Sequence, residues 1–132
     1  MLYERAGLLG LSSISDDVRV LQEITDPCVI AAVEYFASAM TKYAGAYAAV
    51  LGGQDAFVFT AGIGEHSWKV REAALKDMEW MGVLFDAEAN RANAQIISAK
   101  DSPTIVFVIP TNEELMIAEH TASTAGVGKV KQ

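Results

Sequence analysis

Two glycines separated by a single residue, Gly62 and Gly64, follow an apolar run of strand character at 57–59 and precede a helical pattern that starts near Ser67. Backbone N–H groups at the positive end of a helix bind phosphate without needing a basic side chain. The spacing therefore indicates an anion-binding turn at the carboxyl end of a strand. On spacing alone, an ordinary turn between a strand and a helix is an equally good interpretation.

Two known nucleotide-binding motifs can be compared with this glycine segment. A P-loop is excluded because the required Gly-Lys-Ser or Gly-Lys-Thr ending is absent. The dinucleotide fingerprint nearly fits, although its third position holds Ser67 rather than glycine or alanine. Asp86 lies 22 residues after Gly64, at the end of a weak strand, where the ribose-binding acid of such a fold is expected. A dinucleotide site is thus an open alternative on these residues alone.

Charged side chains that could serve a ligand occur near predicted helix starts. Asp17 and Arg19 lie one residue apart, and their spacing alone favours a capping acid beside a solvated arginine. Glu113 and Glu114 lie in a first helical turn, where acids are favourable with the helix dipole. They also follow a buried strand directly, which is where ligand-facing groups lie in an open α/β sheet. The two histidines have no partner at metal-ligand spacing.

The elements that would position these residues alternate between helix and strand. Asp26-Pro27 predicts the start of a long helix, and Gly52-Gly53 predicts its end. Thr111 as N-cap and Glu114 three residues later form a capping box for the last helix. Residues 1–15 are predicted to form no stable element by themselves. The predicted elements are a short helix at 15–25, helices at 26–51, 67–78 and 113–123, strands at 56–60 and 104–109, weak strands at 81–85 and 95–99, and a short helix or turn at 86–94.

Composition limits the possible partners and location. The 132 residues suffice for one domain, and a hydrophobic fraction of 52% predicts a real core. The net charge of −7 argues against binding to nucleic acid or to an anionic membrane surface. The apolar stretch 29–51 contains Glu34 and Lys42, so a helix buried in protein is favoured over a membrane span. Cys28 is the only cysteine, which indicates a reducing, cytoplasmic setting.

Four stretches in order resemble the acetate kinase family, whose members belong to the superfamily of sugar kinases, heat-shock chaperones and actin. They are residues 4–12, 15–19, 58–65 and 108–115, and the resemblance covers residues 2 to about 123. It implies an α/β fold that is part of an actin-like (ribonuclease H-like) ATPase domain, with a mixed sheet flanked by helices. The chain would be the C-terminal part of the nucleotide-binding domain, with a lead-in segment at 1–25, an α/β core at 26–124 and a tail at 125–132.

The resemblance also implies roles for individual residues. Glu113 matches the glutamate associated with magnesium in the family, and Asp86 has no nucleotide role there, so the dinucleotide alternative is set aside. No catalytic residue is expected in this chain, because the family residues that act on the transferred phosphoryl group lie elsewhere. His66 departs from the family pattern, which has asparagine at that position. The residues matched to nucleotide contact are Asp17, Val18 and Arg19, and Gly62, Ile63, Gly64, Glu65 and His66.

The function that the resemblance implies is direct transfer of the γ-phosphoryl group of ATP to acetate, giving acetyl phosphate and ADP. The implied cofactors are ATP or ADP and Mg²⁺, and a homodimer is expected from the family. This chain alone would lack activity. Propionate or butyrate kinases are alternatives, since the acyl pocket lies outside the chain. A second alternative is a structural or dimerisation piece that binds no nucleotide, because the helix at 29–51 has more nonpolar surface than one sheet face needs.

Overall fold

A computed structural model describes residues 7–127 of the chain. Residues 1–6 and 128–132, which include part of the predicted lead-in and most of the predicted tail, lie outside the described residues. Seven α-helices, two strands and one 3₁₀ turn occur between residues 7 and 127. In chain order they are α1 (Gly7–Ser12), α2 (Val18–Leu21), α3 (Pro27–Leu51), β1 (Ala56–Phe59), α4 (Ala61–His66), α5 (Trp68–Leu75), a 3₁₀ turn (Glu79–Met81), α6 (Ala87–Arg91), β2 (Ile105–Val108) and α7 (Glu113–Thr124).

The long helix α3 has the ends predicted from its local sequence signals. The Asp26 carboxylate accepts a hydrogen bond from the Cys28 N–H at 2.8 Å, and Pro27 occupies the first turn, where no N–H donor is needed. At the other end, Gly52 is left-handed, with φ 76° and ψ 19°, and its N–H donates to the Ala48 carbonyl. Within residues 7–127, no helix combines the length and the apolar character needed to cross a bilayer.

The two strands form a parallel pair. Ala56 pairs with Ile105 and Phe59 pairs with Val108, so the carboxyl ends of both strands reach the same edge. The predicted weak strands are wrong as strands: the only pairings described for them are isolated antiparallel bridges, Phe85 with Ser98 and Ile96 with Phe107. The parallel pair therefore has antiparallel contacts on the β2 side.

The main core lies between the sheet, α3 and α5. Its buried members are Ala37, Phe59, Ala74, Leu75, Met78, Met81, Val83, Ile97, Val106 and Val108. A second buried group forms where α1 and α2 pack against the first half of α3. It includes Val18 and Leu21 from α2 and Val29 and Ala32 from α3. Within the segment predicted to form no stable element by itself, residues 7–12 form the short helix α1, which packs on α3.

Three local predictions require correction. The helix predicted at 15–25 is only one turn long, from Val18 to Leu21. The N-cap of α7 is Asn112 rather than Thr111, because the Asn112 side chain accepts the hydrogen bond from the Leu115 N–H at 2.9 Å. The glycine segment is a helix rather than a loop, since α4 contains both glycines.

Asp86 is the N-cap of α6, as expected of a helix-start residue. Its carboxylate accepts hydrogen bonds from the N–H groups of Glu88 and Ala89 at 2.9 and 3.0 Å.

Candidate functional site

An open cleft lies beyond the carboxyl ends of the two parallel strands. It has a volume of about 380 Å³ and is lined by the first residues of α4 and by the segment that leads into α7. In open sheets of parallel strands, ligands bind outside the carboxyl ends of the strands. Of the predicted site residues, Gly62 and Glu113 are therefore brought together at one cleft, whereas Ile63, Gly64, Glu65 and His66 do not line it. Its lining residues are Ala61, Gly62, Thr111, Asn112, Glu113 and Glu114.

The glycine segment reaches the cleft through an abrupt change of backbone direction after β1. Thr60 is extended and its side chain makes no capping hydrogen bond, and Ala61 is left-handed with φ 58°. This conformation is uncommon for a residue with a Cβ atom. The glycines then continue as helix, so the anion-binding loop predicted ahead of a helix at 67 is absent from the described structure. The first turn of α5 is instead capped internally, since the Ser67 hydroxyl accepts from the Val70 N–H at 3.3 Å.

The two glycines of α4 have different surroundings. A Cβ atom added to Gly64 would lie 3.2 Å from the Phe59 carbonyl carbon, so this position needs glycine for close packing of α4 on β1. A Cβ atom added to Gly62 would meet no atom within 4 Å, and the Gly62 backbone is not left-handed. The fold therefore does not require glycine at position 62. The space in front of Gly62 belongs to the cleft.

Glu65 links the two sides of the cleft. Its carboxylate accepts hydrogen bonds from the Thr111 N–H at 2.8 Å and from the Thr111 hydroxyl at 2.9 Å. These bonds, the backbone bond first, lower the pKa of the Glu65 carboxyl below its usual value. His66 lowers it further by a smaller charge effect. Thr111 thus directs its N–H and its hydroxyl hydrogen to Glu65, while the cap of α7 is made by Asn112.

We expect the Glu65 carboxyl to report this interaction in a pH titration. A carboxyl with a lowered folded-state pKa contributes stability that is present above its unfolded value of about 4.3 and is lost as the pH falls through the lowered value. In Thr111→Val the backbone donor persists and the hydroxyl donor is lost, so the pKa of Glu65 should rise part of the way to its ordinary value. Carboxyl carbon shifts followed by NMR measure this pKa. Thr121→Val on α7 is the matched control, and an equal Glu65 pKa in both variants would contradict the interaction.

Asp17 and Arg19 form a local ion pair at the start of α2. The Asp17 carboxylate caps the Arg19 N–H at 2.9 Å and also accepts from Arg19 Nη2 at 2.6 Å. The Arg19 side chain holds the pKa of Asp17 below its usual range, and the same pairing raises the pKa of Arg19. The arginine side chain is 72% exposed, so its outer face is free to meet solvent or a ligand. Val18 between them is 2% exposed over the whole residue, so neither its side chain nor its backbone is open to a ligand.

Hydrogen bonds connect the C-terminal end of α2 to the junction between α4 and α5. The Ser67 hydroxyl, which directly follows His66, donates to the Gln22 side-chain oxygen at 2.7 Å. Lys69 Nζ donates to the Gln22 carbonyl at 2.6 Å. Gln22 is the C-cap of α2, so the Asp17–Arg19 pair belongs to the helix that these bonds attach to α5.

Sequence reasoning missed Arg71, which is completely buried on α5. Its guanidinium donates to the carbonyl groups of Gly64 and Glu65 at 2.8 and 2.9 Å, and therefore to the end of α4. The sequence does contain a signal for its burial. Position 71 is three residues before Ala74 and four before Leu75, so on a helix it shares their buried face. A charged residue on such a face indicates a satisfied polar network.

Comparison with known proteins identifies the family. The family model described as "Acetokinase family" matches residues 1–119. The acetate kinase of Nitrobacter hamburgensis is 49% identical over 122 residues, which are 92% of this chain and 30% of that protein. The acetate kinase of Methylocella silvestris is 51% identical over 121 residues, again 92% of this chain and 30% of the relative. The chain thus spans about a third of the length of the curated relatives it matches.

Solved structures give the same result. The crystal structure of Porphyromonas gingivalis acetate kinase superposes with a TM-score of 0.82 and 37% identity over 92% of this chain and 32% of that one. A propionate kinase from Francisella tularensis gives a TM-score of 0.82 and 33% identity over 89% of this chain and 31% of that one. These neighbours confirm the predicted α/β fold as part of an actin-like ATPase domain. The chain belongs to the acetokinase family.

Proposed function

We propose that this chain provides the nucleotide-binding side of an acetate kinase, in which ATP, Mg²⁺ and acetate react to give acetyl phosphate and ADP. The observation that carries the proposal is the cleft at the carboxyl ends of the parallel strands, with an open glycine on one side and Glu113 on the other. The acetate kinase relatives support this assignment of the reaction. Because a propionate kinase is also a structural neighbour, propionate is a second candidate substrate.

The chain's own residues would bind and orient the nucleotide rather than act on the acyl group. Phosphoryl transfer requires little covalent chemistry from the protein, and its catalysis consists mainly of positioning and of stabilising the charge on the transferred group. Gly62 leaves room for the ligand, and the Glu65–Thr111 hydrogen bonds fix the two cleft walls to each other. The exposed guanidinium of Arg19 is held in place by Asp17 and can meet an anionic or polar ligand group.

Glu113 fits the chemistry of a magnesium site shared with a nucleotide. Magnesium is commonly bound through one or two carboxylates together with substrate phosphates and water, rather than by a complete protein cage. Glu113 and Glu114 are exposed at the start of α7 and line the cleft. Residues 7–127 contain no group of three or more His, Cys, Asp or Glu side chains placed to hold a metal. When bound, the ion would neutralise charge on the phosphates, and Glu113 would hold it.

The proposal is tested by titrating the purified chain with ATP and with ADP in a calorimeter, in the presence of Mg²⁺. We expect saturable heat from both nucleotides and no acetyl phosphate when acetate is added with ATP. Folded protein that gives no heat with either nucleotide would overturn nucleotide binding. Steady formation of acetyl phosphate would overturn the assignment of the acyl-directed groups to other parts of the protein.

For Glu113→Gln we expect the magnesium-dependent part of the ADP affinity to be lost. The amide keeps the size of the side chain but removes the charge that attracts the ion, so affinity without Mg²⁺ should change little. Calorimetric titrations with and without Mg²⁺ measure the difference. Glu119→Gln, farther along α7 and outside the cleft lining, is the matched control. An unchanged magnesium effect in Glu113→Gln would contradict the metal role.

A second candidate function, assembly of a homodimer, is favoured by the exposed surface of α3. The apolar stripe that begins with the buried residues Val29 and Ala32 continues at helical spacing as Tyr43, Tyr47 and Val50. These three side chains are 62%, 66% and 83% exposed. An exposed apolar surface of this kind indicates a protein contact. The expected partner is a second copy of the chain.

Replacement of Tyr47 by aspartate should shift such a dimer to monomer, because a charge would then be buried at its centre. Sedimentation velocity over a range of protein concentrations measures the change. Ile117→Asp places the same charge on an exposed apolar position of α7 and is the control. A wild-type chain that is monomeric at every concentration would rule out dimerisation through this surface.

The cytoplasmic location expected from the single cysteine stays a prediction.

A further inference from the structure

Arg71 is a buried cation whose hydrogen-bond acceptors are all neutral. It takes part in none of the ion pairs described for residues 7–127. All five of its N–H donors are used: Nε donates to Asn90 Oδ1, Nη1 to the carbonyls of Gly64 and Glu65, and Nη2 to the carbonyl of Asn90 and to Asn93 Oδ1. The side chain is therefore fixed in one orientation.

Burying a guanidinium is costly, and the cost is offset at this position because every N–H of Arg71 has an acceptor. What the guanidinium supplies is a rigid fork of donors. Two of its acceptors are carbonyls in the last turn of α4, where no further helical N–H is available to them. The others belong to α6 and the residues just after it. Asn90 is itself buried and its Nδ2 donates to the Trp68 carbonyl at 2.9 Å. Arg71 thus clamps the end of α4 to α5 and α6.

The same end of α4 carries Glu65, whose carboxylate reaches Thr111 on the other side of the cleft. The start of α4 is weakly fixed, because Thr60 makes no side-chain cap and Ala61 is left-handed. The orientation of Gly62 relative to Thr111 therefore depends on the fixed end of the helix.

We propose that Arg71 is a positioning residue for the nucleotide cleft: by holding the carbonyls of Gly64 and Glu65, it keeps α4 oriented so that Gly62 and Thr111 face each other across the cleft. Arg71 itself lies behind α4 and would touch no ligand. The proposal rests on the proposed nucleotide-binding function for its ligand, but its structural part concerns the chain without ligand.

The test uses amide hydrogen exchange of the unliganded chain together with ADP titration. Arg71→Lys keeps the positive charge but replaces the planar guanidinium and its five N–H donors with a single ammonium group. Asn93→Gly removes one acceptor of Arg71, and glycine tolerates the left-handed backbone at that position (φ 51°). Leu75→Ala is the control, because Leu75 is buried on the same helix and packs in the core. In Arg71→Lys we expect exchange at 61–66 and at the Thr111 amide to be faster by about tenfold or more relative to the rest of the chain. We expect Asn93→Gly to change the same amides less.

The magnesium-dependent ADP affinity should fall by about tenfold or more in Arg71→Lys, since small displacements of positioning groups have effects of that size. Leu75→Ala should raise exchange throughout the core and leave the affinity of the folded protein unchanged. Exchange that rises equally throughout Arg71→Lys, as in the control, would overturn the positioning role. If the wild-type chain binds no ADP, the nucleotide function fails, while the exchange pattern still decides whether Arg71 orients the cleft.

Discussion

Replacement of Gly62 by glutamine should weaken nucleotide binding by about a hundredfold, which corresponds to about 2.7 kcal/mol at 25 °C. Glutamine is a good helix former, and a side chain at this position of α4 meets no protein atom within 4 Å of its Cβ. The stability of the fold should therefore be unchanged or higher, by up to about 1 kcal/mol. Calorimetry gives the affinity, and urea unfolding gives the free energy of unfolding.

Gly64→Ala, two residues away on the same helix, should lower the free energy of unfolding and have a smaller effect on nucleotide affinity. Its methyl group would lie 3.2 Å from the carbonyl carbon of Phe59, and overpacking of this kind costs about 1–3 kcal/mol. The affinity of the molecules that stay folded should change less than in Gly62→Gln. Nucleotide binding of wild-type strength by Gly62→Gln would show that the nucleotide does not occupy this cleft.

Arg71→Met should lower the free energy of unfolding by about 3–5 kcal/mol, a large part of the roughly 5–15 kcal/mol available to a domain. Methionine fills much of the volume but donates no hydrogen bonds. It leaves the buried acceptors of Asn90 and the half-buried carbonyls of Gly64 and Glu65 without their donor. Each such group costs about 1–3 kcal/mol, partly recovered where water can enter. Urea denaturation followed by circular dichroism measures the loss.

Arg91→Met is the matched control for this substitution. Arg91 is also an arginine next to the same network, but its side chain is 56% exposed and its ion pair with Glu72 is long, at 3.7 Å. Exposed pairs contribute about 0–1 kcal/mol, so Arg91→Met should be close to wild type. Equal losses for the two variants would show that Arg71 contributes through general charge rather than through its buried hydrogen bonds.

The parts of the fold that the sequence predicted well depend on local signals. Asp26-Pro27 and Gly52-Gly53 bound α3 because each acts on backbone groups within one helical turn. The β-branched run ending at Ile109 gave β2, and its position just before Glu113 placed that residue at the cleft. The order of strand, glycines, helix and strand was enough to bring the two strand ends together.

The parts that could not be predicted depend on partners distant in the chain. Thr111 satisfied every local rule for a helix cap, yet Glu65, 46 residues earlier, engages its hydroxyl, and the cap passes to Asn112. The glycines were expected in a loop, but close packing of Gly64 on Phe59 places them in a helix. Arg71 finds its acceptors on α4 and α6, which no periodicity in the sequence predicts.

The parallel register of β1 and β2 also determines when the cleft can exist during folding. No tight hairpin can connect parallel strands, so the pairing of Phe59 with Val108 closes the long segment between them. The walls of the cleft, like the Glu65–Thr111 bond between them, are then formed late and together. A nucleotide that binds there recognises only chains that have completed this pairing. It would therefore stabilise the product of the last folding step, and the apparent stability would rise with the logarithm of the nucleotide concentration once that concentration exceeds the Kd.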